Sequence, residues 1–209
     1  MILGRRAILA GSAGLLLVAR SARADDAVDA LFARVARARS TTRTLQGPFT
    51  QVRTIGLLAT DVKSSGTLAL VRPDRLRWEL APPDSVVFWM LPEGLAYRSA
   101  EGSGRLPSAT PRIAAMLDDL RTLLGGDLSH LRTRWDLRVA RDDSSGAQLA
   151  ATARVPDAPL KSFEFTLAPD LVRPVRAVLV EGPHDRTATE TRVRFPSVRD
   201  QLWRLNRRV

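Results

Sequence analysis

Gly66-Thr67-Leu68-Ala69-Leu70-Val71-Arg72-Pro73-Asp74-Arg75-Leu76-Arg77-Trp78 reads as the end of one strand, a turn and the start of the next. Leu68, Leu70 and Arg72 fall at every second position, so an extended chain places all three on one face. Arg72-Pro73-Asp74 then ends the run, because proline lacks the N–H that a ladder needs and presets the backbone for a turn. Beyond it, Leu76-Arg77-Trp78-Glu79-Leu80 resumes the alternation. A link this short joins antiparallel neighbours, since parallel strands need a long crossover.

The same period extends in both directions. Upstream, Leu45, Phe49 and Gln51 alternate with polar neighbours. Downstream lie Val86–Met90 and Leu95-Ala96-Tyr97, separated by the turn signals Ala81-Pro82-Pro83-Asp84 and Pro92-Glu93-Gly94. Further strands are expected over 134–140, 148–154, 162–167, 175–180 and 187–195, while Glu101 to Gly104 reads as a Gly/Ser-rich loop. Two segments have helical spacing instead. Val28, Leu31, Phe32 and Val35 mark a helix over 28–38. Thr110-Pro111 opens a second, in which Ile113, Met116, Leu117, Leu120, Leu123 and Leu124 form an apolar stripe that Gly125-Gly126 ends. The chain is therefore mainly β in an α+β class, with about ten antiparallel strands and two or three helices in one domain over 25–209. A meander this long curls, and the apolar face inside the curl needs a cover. The stripe on 113–124 is the candidate. Periodicity alone fits both a packed core and an apolar cavity under a helical lid.

Residues 1–24 read as a cleavable signal peptide: Arg5 and Arg6, an apolar run from Ala7 to Ala19, and the small-x-small site Ala22-Arg23-Ala24, with cleavage expected before Asp25. The run falls short of the roughly 20 residues a spanning helix needs. The expected destination is the periplasm, by the general secretory (Sec) route or, given the paired arginines, the twin-arginine route. The chain has no cysteine, so neither a disulfide framework nor lipid attachment to this chain is expected. The leader holds four arginines and no acid, so its removal leaves 28 basic and 22 acidic residues and lowers the net charge from +10 to +6. The remaining arginines are scattered among acids. A solvated basic surface is the expectation, and nucleic-acid binding is not.

Catalytic chemistry has little to work with. The sequence contains two histidines, His130 and His184, no thiol, and no Gly-x-Ser-x-Gly elbow, zinc motif or phosphate loop. Asp118-Asp119 and Asp142-Asp143 are the acidic pairs of note and read as solvated surface. No enzyme activity, cofactor or metal is expected. Arg72 is the distinctive polar group. If Leu68 and Leu70 face inward, so does Arg72, which keeps its charge and must find acceptors. Backbone carbonyls of a lid, ester oxygens of a ligand, and solvent or a turn cap at the strand end are all open to it.

The run from Gly66 to Trp78, followed by Pro83 and preceded by Phe49-Thr50-Gln51, resembles the periplasmic outer-membrane lipoprotein carriers of the LolA family. The resemblance extends as a pattern over 28–196. It implies an incompletely closed antiparallel half-barrel with helices as a lid over an apolar cavity that carries the acyl chains of lipoproteins from inner to outer membrane. It places the family's latch arginine on Arg72 and the apolar and aromatic positions after it on Leu76 and Trp78. The expected cavity lining is then Leu68, Leu70, Leu76, Trp78 and Trp89, with Ile113, Met116, Leu117 and Leu120 on the lid helix. The implied partners are an inner-membrane lipoprotein-releasing ABC transporter and an outer-membrane receptor, the carrier itself being a monomer. Arg98-Ser99-Ala100-Glu101 and Gly182-Pro183-His184-Asp185-Arg186 depart from the family's usual runs. Those departures leave room for another lipid or a polyketide as cargo, or for a lipid- or lipoprotein-sensing module of the same fold. A cell-envelope lipid hydrolase or acyltransferase would require His130 or His184 to meet a serine and an acid.

Overall fold

The computed structural model describes residues 13–57, 60–107 and 111–195, and the side chains among these except at 13–24, 106–107 and 111–117. Helix α1 (Ala13–Ser40) opens the fold, followed by strands β1 (Thr44–Thr54), β2 (Val62–Val71), β3 (Arg75–Leu80), β4 (Val87–Leu91), β5 (Gly94–Arg98) and β6 (Ser103–Pro107). Helix α2 (Pro111–Leu124) and a short 3-10 helix (Leu128–Thr133) then lead to β7 (Trp135–Asp143), β8 (Gly146–Ala153), β9 (Ser162–Leu167), β10 (Pro174–Val180) and β11 (Arg186–Thr191). The eleven strands form one sheet in the order β6-β5-β4-β3-β2-β1-β11-β10-β9-β8-β7. Every pairing is antiparallel. Each strand lies beside its sequence neighbour except where β11 closes onto β1, and β6 and β7 remain as the two edges of an open half-barrel. α2 and the 3-10 helix span the gap between those edges in the chain.

The expected strands are present, with one more than the alternation indicated. The extra strand is β6, whose Ser103-Gly104-Arg105 start has poor β propensity and reads as loop. It pairs with β5 through a turn at Gly102, held at a φ of +150° that side chains rarely adopt. The first helix runs from Ala13, well before the expected start at Val28, so the expected cleavage site lies within α1.

Register decides which side chains share the inner face. One cross-strand row runs Gly47, Leu68, Trp78, Phe88, Tyr97, Gly104, and the next runs Leu45, Leu70, Leu76, Met90, Leu95. Across β11 the same face continues through Ala177, Phe165 and Leu149 of β10, β9 and β8. Val28, Leu31, Phe32 and Val35 of α1 join this face in a single buried cluster with Leu45, Phe49, Leu68, Leu70, Leu76, Phe163 and Phe165. Each fully buried Leu or Phe here contributes about 1.5–3 kcal/mol relative to exposure.

Candidate functional site

Arg72 follows the last residue of β2, and its backbone N–H donates to the carbonyl of Arg43. This continues the ladder one residue past the strand and fixes the direction of the side chain. The guanidinium donates to the carbonyls of Thr42 at 3.1 Å, Leu124 at 3.4 Å and Val172 at 3.1 Å. It therefore joins three separated segments: the chain leaving α1, the C-terminus of α2, and the turn between β9 and β10. Of the acceptors open to it in the sequence, backbone carbonyls take it.

A second arginine, Arg39, expected with the other arginines on a solvated basic surface, reaches the same place. Arg39 is 6% exposed. It donates to the carbonyl of Leu123 at 2.6 Å and to that of Gly126 at 3.2 Å. The last carbonyls of a helix have no partner within it and form the negative end of its dipole, so a cation is the natural cap. Here two cations share one helix end. Gly125 is what allows the approach: a Cβ on it would lie 2.4 Å from the carbonyl oxygen of Pro73, next to Arg72. Arg39 stands four residues after Val35 and continues the buried stripe of α1, a position that its charge masks in the sequence.

Burial pushes Arg39 down to about 9, with the charge of Arg72 adding to the effect. Burial likewise lowers Arg72 to about 10, and the charge of Asp170 opposes the fall. Both arginines remain cationic at neutral pH. Elsewhere α2 is tied by Arg121, which donates to the carbonyl of Leu91 at 2.9 Å. Its Asp119 is ion-paired with Arg134. Asp119 is buried, not solvated as its sequence context suggested, because Arg134 at the base of β7 supplies the counter-charge. Burial raises the Asp119 pKa against the pull of Arg134.

Of the expected lining residues, Leu68, Leu70 and Leu76 are buried in the central cluster, and Trp78 is half-buried with its ring 4.0 Å from that of Phe49. Trp89 is a correction. Its register partners are Arg77 and Ala96, on the sheet face opposite Leu76 and Trp78, and the guanidinium of Arg98 sits 5.5 Å from its ring. The consecutive apolar residues of β4 hide the alternation that would have assigned Trp89 to that face. Leu120 packs half-buried against the cluster. Ile113, Met116 and Leu117 lie on α2, but their side chains fall outside those described. Leu80, Phe88, Met90, Leu95 and Tyr97 on the inner face of β3 to β5 are each only half-buried. His130 and His184 are exposed, one in the 3-10 helix and one in the turn before β11. Among the described residues no group of three or more His, Cys, Asp or Glu is placed to hold a metal, and no helix is long and apolar enough to cross a membrane.

The family model for the outer membrane lipoprotein carrier protein LolA matches residues 40–88, which run from the end of α1 into β4 and include Arg72 and Trp78. Over that segment the chain resembles LolA. Comparison with curated proteins gives no match. Among solved structures, an uncharacterized conserved protein from Thermus thermophilus superposes on this chain with a TM-score of 0.52 at 8% identity, covering 82% of this chain and 89% of its own. MucB in the Pseudomonas aeruginosa MucA/MucB complex gives a TM-score of 0.48 at 18% identity over 83% of this chain and 59% of that one. A LolA superfamily protein from Nitrosomonas europaea gives 0.42 at 8% identity over 83% and 96%. At 8% identity the likeness to the Thermus thermophilus protein is one of fold.

Proposed function

We propose that this protein is a carrier of acyl chains, those of lipoproteins or of a related lipid, which it shelters between α2 and the inner face of β2 to β5 while moving them from inner to outer membrane. The observation that carries the reading is the way the cover is held. A buried guanidinium, Arg39, and a half-buried one, Arg72, grip the carbonyls at the end of α2, beside strands β4 and β5, whose inner-face residues Phe88, Met90, Leu95 and Tyr97 are only half-buried. Covering an acyl chain gains about 0.8 kcal/mol per methylene, so a chain of roughly 16 carbons represents on the order of 12 kcal/mol. A carrier must also release that chain. Hydrogen bonds that form only when the cavity is empty oppose binding and return the cover to its closed state. In this reading Arg72 is a latch, Leu68, Leu70, Leu76 and Trp78 form the lining, and Leu120 with Ile113, Met116 and Leu117 forms the lid. The leader at 1–24 directs the chain to the periplasm, where an inner-membrane ABC transporter loads it and an outer-membrane receptor unloads it. No covalent step enters.

Native mass spectrometry of protein purified from its own periplasm is expected to show a bound acylated species. Arg72→Leu is expected to bind that species and pass it to acceptor vesicles at least about tenfold more slowly, since removing hydrogen bonds to a charged group costs roughly 1.5–3 kcal/mol of closed state. Normal transfer by Arg72→Leu would remove the latch role. The absence of any acyl ligand, in cells and after incubation with lipid, would remove the carrier reading.

A further inference from the structure

We propose that Arg39 and Arg72 together form a receptor for an oxyanion at the polar end of the carried chain, a carboxylate or a phosphate, which replaces the carbonyls of α2 when that helix end lifts. The inference rests on the carrier reading and names its ligand class. Five neutral oxygens hold the two guanidiniums: the carbonyls of Leu123 and Gly126 for Arg39, and those of Thr42, Leu124 and Val172 for Arg72. Neither has a carboxylate within ion-pair distance among the described residues. This sets them apart from the other arginines around α2, for Arg134 is paired with Asp119 and Arg121 lies 3.8 Å from Asp118.

Buried cations are ordinarily paired, because the cost of leaving one unpaired is several kcal/mol. Asp170 does not fill the role: its oxygens accept from the backbone N–H groups of Val172 and Arg173 and from the Arg173 side chain. The pair also has unspent donors, since Nε of both Arg39 and Arg72 is buried without an acceptor. Three of the five acceptors, on Leu123, Leu124 and Gly126, belong to one helix end. Displacing that end strips both arginines of partners together and leaves two adjacent cations with free donors. A carboxylate or phosphate satisfies them in the planar, two-toothed manner that guanidinium favours. An alcohol or a neutral glyceride cannot supply the charge.

Displacement of a fluorescent fatty-acyl probe from the purified wild-type protein tests the proposal with two chain-matched pairs, stearate against stearyl alcohol and distearoyl phosphatidate against distearoylglycerol. The anionic member of at least one pair is expected to bind on the order of tenfold to a hundredfold more tightly. Preference in the first pair assigns a carboxylate, and preference in the second a phosphate. Arg39→Gln is expected to lose most of that preference while still binding the neutral lipids, and Arg39→Lys to keep part of it. Equal affinities within both pairs, or a preference that survives Arg39→Gln, overturns the receptor and leaves the carrier reading intact. Failure of all four lipids to displace the probe, or of the probe to bind, removes the carrier reading and the receptor with it. The wild-type comparison stands whether or not the variants fold.

Discussion

The two halves of the sheet follow one alternation and end in different states. On β8 and β9, Ala147, Leu149, Ala151, Phe163, Phe165 and Leu167 are all buried, and α1 seals them with an apolar stripe of its own. On β3 to β5, only Leu76 of the inner-facing row from Leu76 through Met90 to Leu95 is buried, and Trp78, Leu80, Phe88 and Tyr97 are half-buried. The element tied down beside them, α2, is held at its C-terminal end by hydrogen bonds from Arg39 and Arg72. The difference lies in the kind of bond. An apolar seal is non-directional and grows with area, whereas hydrogen bonds to a helix end are directional, modest in net worth, and exchangeable for another acceptor. In the proposed carrier, one half serves as a frame and the other changes its cover.

The sharpest way to break that contrast is a pair of aromatic truncations. Phe163→Ala removes a ring that is 2% exposed and meets Trp135 edge-on at 4.9 Å, so it is expected to cost about 3–5 kcal/mol in denaturant unfolding. Trp78→Ala is expected to cost roughly half as much or less, because the ring is already partly in water, yet to weaken acyl-chain binding where Phe163→Ala, in protein that remains folded, does not. Equal stability losses with equal binding losses would mean that the halves are one continuous core.

A smaller effect should come from the close approach that holds the cover down. Gly125→Ala would place a methyl 2.4 Å from the Pro73 carbonyl, a backbone atom that cannot swing aside. The end of α2 must then withdraw, at an expected cost of about 1–3 kcal/mol. The loss should appear as faster amide exchange confined to α2 and the turn after it. Exchange that rises uniformly across the sheet would mean that this contact supports the whole fold and not the cover alone.

Much of this contrast is legible in the sequence, and the parts that are not have physical reasons. Alternation finds the strands because one face is buried along most of their length, and the Arg72-Pro73 turn fixes the direction of the second strand. It fails on β4, where Val87 to Leu91 are all apolar and all half-buried, so the period-two signal vanishes and Trp89 is assigned to the wrong face. It fails on β6, an edge strand that starts Ser103-Gly104-Arg105 and pairs with β5. Arg72 is legible as an inward arginine. Arg39 is not, because in a helix rich in arginine its charge masks its place on the apolar stripe, and the helix end that stabilises it is more than 80 residues away. Asp119 is missed for the same reason, its partner Arg134 lying on an element that periodicity does not place beside α2.

The smallest expected effect concerns the far side of the proposed latch, and it separates charge from shape. Asp170 Oδ1 accepts the N–H groups of Val172 and Arg173 at 3.0 Å each, and Oδ2 accepts Arg173 Nε at 2.5 Å. Burial alone would raise its pKa, but these donors outweigh it and hold the carboxyl below the usual aspartate range. The turn so fixed presents the Val172 carbonyl to Arg72. A group whose pKa is depressed by folding contributes stability that is present above its unfolded pKa, near 4, and is lost as pH falls through the folded value. Asp170→Asn keeps an oxygen for the two backbone donors and removes the charge together with the Oδ2 acceptor of Arg173 Nε. It is therefore expected to cost about 0.5–1 kcal/mol at neutral pH, with the ion pair partly screened by solvent. That deficit should shrink toward zero as both proteins are titrated below pH 4. A deficit that stays constant with pH would mean that Asp170 shapes the turn without its charge, and that the field it exerts on Arg72 plays no part in keeping the cover closed.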